Sequence, residues 1–157
     1  MNEIFLEPYA RFFVLLHALG AIALVGALTH GSVFLHLSQK RAREGNLKRA
    51  ARFWPILWTA LLWTLATGSL AYPTYRIRTR ADYLEGRFPL PVQLFDLKEN
   101  YAAVVLALLC ACWVLWKLPS ESLPRTLLHN SLFHLATLLS WTAGLSGLWV
   151  VLHRGIG

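Results

Sequence analysis

The six histidines are the residues of this chain best suited to chemistry, and all of them lie on two stretches. RFFVLLHALGAIALVGALTHGSVFLHL carries His17, His30 and His36, and LLHNSLFHLATLLSWTAGLSGLWVVLH carries His129, His134 and His153. Both stretches are long and apolar enough to lie in a membrane. Imidazole at that depth is unfavourable without a partner, so an ionisable group there marks function more often than it does in a soluble protein. Histidine is also the commonest side-chain metal ligand. The chemistries open to such a set are haem ligation, metal binding, hydrogen bonding to a quinone, or plain hydrogen bonding between helices.

On a helical wheel at about 100° per residue, His17, Gly20, Ala23, Leu24, Ala27, His30 and Gly31 share an arc of about 140°. Such a stripe of small residues admits another helix at close range, and it equally admits a flat macrocycle. On the last stretch Asn130, His134, Thr137, Trp141, Gly144 and Leu148 share a face, bordered by His129, Ser140 and Gly147. His153 points away at the helix end and reads as an interfacial residue. His36 lies near an end where it can reach interfacial water.

If the two helices are antiparallel neighbours, level residues have position numbers with a nearly constant sum. His30 with His134 meets that condition, as does His36 with His129, whereas His17 with His153 slips by a few residues. The pair expected to face across a slot is therefore His30 and His134, the arrangement that bis-histidine haem ligation needs. Gly20, Ala27, Gly31, Thr137, Trp141 and Gly144 are expected to pack around such a ring. One haem b is expected rather than two. A second, at His17, would sit roughly 20 Å from the first, and the middle segments offer neither His nor Met. His17, with His36, His129 and His153, stays a candidate for a second haem or a quinone head group.

These residues need a membrane scaffold, and the composition supplies one. The chain has 157 residues, 56% of them hydrophobic, with a mean hydropathy of +0.47. That is too apolar for an ordinary soluble domain. Four stretches can each span a bilayer: about 10–37, 53–73, 98–118 and 125–153. The expectation is a single all-α transmembrane domain over 1–157, an integral membrane four-helix bundle. The start, MNEIFLEPYARFF, carries Glu3 and Glu7 where a signal peptide carries Lys or Arg, and so does not read as one. Cys110 and Cys112 form C-x-C inside an apolar stretch and read as packing residues.

The net charge of +7 is concentrated. The loop 38–52 holds Lys40, Arg41, Arg43, Lys48, Arg49 and Arg52 against Glu44. The positive-inside rule accounts for it without nucleic-acid binding, so this loop is expected in the cytoplasm. Both termini and the loop 74–97 are then extracytoplasmic, and a bacterial inner (plasma) membrane is the expected location. In the loop 74–97, Arg76, Arg78 and Arg80 alternate with Ile77 and Thr79. In an extended backbone they point to one side. They form either a solvated ribbon or a clamp for haem propionates, a lipid phosphate or acidic residues of a partner. Pro73 is expected to end the second helix. Asp96 is expected to cap the third, with Glu99 completing a capping box. Asp96, Lys98 and Glu99 then sit at the mouth, capping and anchoring the helix or exchanging protons with a quinone.

The placement of His17, His30 and His134 on four spans resembles four-helix transmembrane b-type cytochromes, including membrane-anchor subunits of quinone-linked redox complexes. The likeness covers the helical body and no further signature. It implies a haem subunit that passes electrons between a quinone and an extracytoplasmic partner such as a periplasmic cytochrome or iron–sulfur protein, not an enzyme working alone. Two other readings stay open. One is a cofactor-free structural or assembly subunit of a membrane complex, with the histidines bonded between helices. The other is a channel or transporter for a proton or metal ion, disfavoured by four unbroken spans.

Overall fold

A computed structural model describes residues 4–41, 52–118 and 123–154. A short 3₁₀ turn, Glu7–Tyr9, leads into α1, Ala10–Arg41. Then come α2, Phe53–Thr74, a π-helical continuation, Tyr75–Leu84, α3, Pro89–Lys117, and α4, Leu123–Arg154. The four apolar spans, Glu7–Leu37, Phe53–Asp82, Pro89–Lys117 and Pro124–Leu152, are each long and apolar enough to cross a membrane. Ile22, Leu62, Leu138 and Leu152 stand on the outer surface, as lipid-facing residues do. The core of the basic loop, 42–51, lies outside the described residues, as does the side chain of His153.

The bundle consists of two hairpin pairs, α1 on α2 and α3 on α4, joined mainly where α1 meets α4. Leu28, Leu57, Leu109, Cys112 and Ala136 fill its centre with almost no exposure. Tight seams need small residues. At Gly20 an added Cβ would stand 2.6 Å from Thr64 Oγ1 and 2.7 Å from Trp63 Cδ1, so α1 and α2 approach too closely there for any side chain. The Trp63 indole then donates to the Leu16 carbonyl at 3.0 Å.

Two boundaries differ from expectation. Pro73 lies inside α2 and does not end it. It removes one backbone donor, and from Tyr75 the coil continues in the wider π form, with Glu85 N–H reaching back five residues to the Arg80 carbonyl at 2.9 Å. The chain turns within Glu85–Phe88, where Arg87 and Phe88 N–H both bond the carbonyl of the fully buried Leu84. α3 therefore starts at Pro89, with proline in its first turn, as suits a residue without an N–H. Asp96 and Glu99 lie within α3 and cap nothing. The segment 74–97 is a helical hairpin, not an extended loop.

Replacing Gly20 by Ala is expected to destabilise the bundle by about 1–3 kcal/mol through overpacking. Gly26→Ala, which meets nothing within 4 Å, should be neutral or stabilising by up to about 1 kcal/mol from helix propensity. Thermal unfolding in detergent, monitored by circular dichroism, compares the two.

Candidate functional site

His30 and His134 are not brought face to face. His30 is exposed on α1. Its Nδ1 donates to the Gly26 carbonyl at 2.7 Å, and its ring stacks beside Phe53 of α2, 6.3 Å between centroids. His134 is half-buried and lies within electrostatic reach of His36 on α1, itself exposed. The α1–α4 seam at this level is filled by Phe133. Its Cζ would stand 2.8 Å from a Cβ added at Gly31. Ser32 Oγ and Thr137 Oγ1 meet at 2.7 Å, and Trp141 Nε1 donates to Thr29 Oγ1 at 3.0 Å.

Gly31 and Phe133, the sequence neighbours of the two histidines, do meet, but the histidines themselves do not. Residues one apart differ by about 100° around the helix, so burying Gly31 against Phe133 turns His30 outward. Thr137 and Trp141, expected beside a porphyrin, bond α1 directly. Ala27 is buried in the core, and Gly144 is exposed on α4. The residues as folded do not fit a haem between His30 and His134.

His129, expected level with His36, bonds within its own helix. Its Nδ1 donates to Asn130 Oδ1 at 3.1 Å, and its ring lies among Trp54 and Phe133, 6.4 and 6.2 Å away. Cys112 donates its thiol to the His129 carbonyl at 3.6 Å. Among the described residues no three His, Cys, Asp or Glu side chains converge as a metal site.

One histidine does meet an ionisable partner. His17 Nδ1 lies 2.8 Å from the Thr64 carbonyl on α2, and His17 Nε2 lies 3.3 Å from Lys98 Nζ on α3. Glycines make room on both remaining sides. A Cβ at Gly68 of α2 would stand 2.8 Å from His17 Nδ1, and a Cβ at Gly147 of α4 would stand 3.5 Å from Lys98 Nζ. All four helices thus contribute to this centre. Lys98 Nζ also lies 5.3 Å from the centre of the Phe95 ring, within cation–π range. The Asp96-x-x-Glu99 spacing predicts Lys98 at the mouth of its helix. With α3 starting at Pro89, Lys98 is about 14 Å along it, deep enough to reach inward. The signal available was Pro89-x-Pro91, a helix start in its own right.

The three arginines divide their work. Arg78 bonds Glu7 at 2.7 Å and approaches Asp82 at 3.7 Å. Arg80 forks onto both Asp96 oxygens at 2.8 and 3.3 Å, and its Nε meets Glu85 at 2.9 Å. Arg76 is exposed and lines a polar cleft of about 390 Å³ with Tyr72, Arg80, Ala81 and Glu85. A single clamp is not formed, because a helical segment fans the three side chains around its axis. Tyr75 stacks on Phe95 at 3.8 Å and ties this end to α3.

Compared with known protein families, with curated proteins and with solved structures, the chain matches none.

Phe133→Ala is expected to open the α1–α4 seam and cost roughly 3 kcal/mol, whereas His30→Ala should change stability by less than about 0.5 kcal/mol, as surface substitutions do. Unfolding of the two variants in the same detergent measures the contrast.

Proposed function

We propose that the chain is a membrane-embedded subunit of a quinone-linked redox complex, and that it serves that complex through the His17–Lys98 pair and not through iron held by His30 and His134. The contact between His17 Nε2 and Lys98 Nζ carries this reading. An ionisable pair inside a membrane bundle is costly and is a functional-site hypothesis by default. It is not needed to hold the helices together, since interhelical polar contacts in membranes average only about 0.6 kcal/mol.

The chemistry of the pair suits a quinone head group. Quinone carbonyls accept hydrogen bonds and gain negative charge on reduction. An ammonium beside an imidazole donates to such an oxygen and offsets that charge. Arg76, exposed at the same end of the bundle, adds positive charge there, whereas Arg80 is offset by Asp96 and Glu85. With the basic loop 38–52 in the cytoplasm by the positive-inside rule, this arginine-rich end faces the other side, where a soluble redox partner can dock. The closed α1–α4 seam favours a second reading, a cofactor-free structural or assembly subunit.

Titration of purified protein in lipid nanodiscs with a short-chain benzoquinone tests the proposal. Trp63, held on the Leu16 carbonyl, is a fluorescent reporter next to His17. Saturable quenching is expected, with Kd raised at least about tenfold (about 1.4 kcal/mol) in His17→Gln and Lys98→Met and unchanged in His30→Ala. Quenching that never saturates, or that is equal in all variants, supports the structural reading instead. A low-spin haem band in the reduced-minus-oxidised spectrum that disappears in His30→Ala or His134→Ala would overturn the proposal in favour of the cytochrome reading.

A further inference from the structure

The His17–Lys98 contact has a direction built into it. The Thr64 oxygen is a carbonyl and only accepts, so the Nδ1 that meets it at 2.8 Å carries hydrogen. A neutral ring then has its lone pair on Nε2, the atom 3.3 Å from Lys98 Nζ. An ammonium donates and a bare Nε2 accepts. The tautomer that satisfies the carbonyl is therefore the one that satisfies the lysine.

We infer that His17 and Lys98 form a proton relay across the bundle, from α3 to α1, with the Thr64 carbonyl holding the receiving ring in register. In the transfer an N–H bond breaks at Lys98 Nζ and one forms at His17 Nε2. The lysine becomes a neutral amine. The ring becomes an imidazolium whose Nδ1–H stays on Thr64. Total charge is conserved, and no electron moves.

Gly68 and Gly147 supply the space. The ring lies against Gly68, and the lysine stem passes Gly147. No ionisable group of α4 is described at this contact. The charged groups around it come from the other elements. Glu99 follows Lys98 in α3 and acts on its charge, and Asp96 is held by Arg80. Arg76 and Tyr75 come from the π-helical segment; Arg76 lies within electrostatic reach of Glu99, and Tyr75 of both Asp96 and Glu99. Glu99 stands on the outer surface of α3. The inference rests on the proposed reading only for its substrate, the carbonyl oxygen of a quinone-type head group. The relay itself needs no quinone.

Nitrogen-15 NMR of histidine-labelled protein in nanodiscs, without quinone, tests it, with His17 assigned by its loss in His17→Phe. Near neutral pH the expected ring has a protonated Nδ1 and a bare Nε2. On acidification Nε2 takes up a proton while Nδ1 keeps its hydrogen-bonded shift. Lys98→Met should move the Nε2 resonance and leave Nδ1 in place. Gly68→Ala, which pushes the ring off Thr64, should move both. An Nε2–H tautomer, an Nε2 signal indifferent to Lys98→Met, or a ring that stays neutral throughout the pH range of constant helix content overturns the relay. Because quinone is absent, loss of quinone binding with a normal ring titration would defeat the proposed function alone. Saturable quinone binding with the wrong tautomer would defeat the relay alone.

Discussion

Hydrocarbon offers no hydrogen-bond partner, so a polar group among four apolar helices gains by finding one within the protein. Much of the described structure follows from that. Hydroxyls on the spans bond backward to their own helix, as Thr29 does to Val25 and Ser146 to Thr142, each at 2.7 Å. His30 does the same to Gly26. Side chains that leave their own helix are then the informative ones. Ser32 with Thr137 and Trp141 with Thr29 join α1 to α4. His17 on Thr64 joins α1 to α2, and Lys98 on His17 brings in α3.

Packing decides which polar groups are left to look outward. Three close approaches are each built on a glycine facing something large or polar: Gly20 against Trp63 and Thr64, Gly31 against Phe133, and Gly68 against the His17 ring. A helix that commits one residue to a seam has also committed its neighbours, because successive side chains are about 100° apart. Gly31 in the seam means His30 outside it. At the other end of α1 the same rule turns a histidine inward. Gly20, three residues from His17, draws that face onto α2, and the ring arrives beside Thr64.

The two ends of the bundle are organised differently. At the end holding the π-helical segment, Arg78 ties it to Glu7 before α1, and Arg80 ties it to Asp96 on α3. These pairs are partly exposed and contribute modestly to stability. Their effect is positional: together with the Tyr75–Phe95 stack they hold the hairpin over the His17–Lys98 centre. At the opposite end aromatic contacts dominate, with Trp54 against Trp116, His129 and Phe133.

The amino-acid sequence alone determined the class of molecule. Runs of apolar residues this long form helices of spanning length whatever their neighbours, since length and hydropathy are local properties. The rotation of each helix about its axis was not legible, because a stripe of Gly and Ala is equally suited to a helix, an indole or a porphyrin. That choice was made only in the tertiary structure, where Phe133 took the place beside Gly31. The start of α3 differs from its local sequence signal for a related reason. Asp96 and Glu99 have the pattern of a cap, and only the pairing of Arg80 with Asp96 and the turn on Leu84 show that the helix is already under way. Lys98 therefore reached His17 through a contact between residues far apart in sequence, which no local spacing encodes.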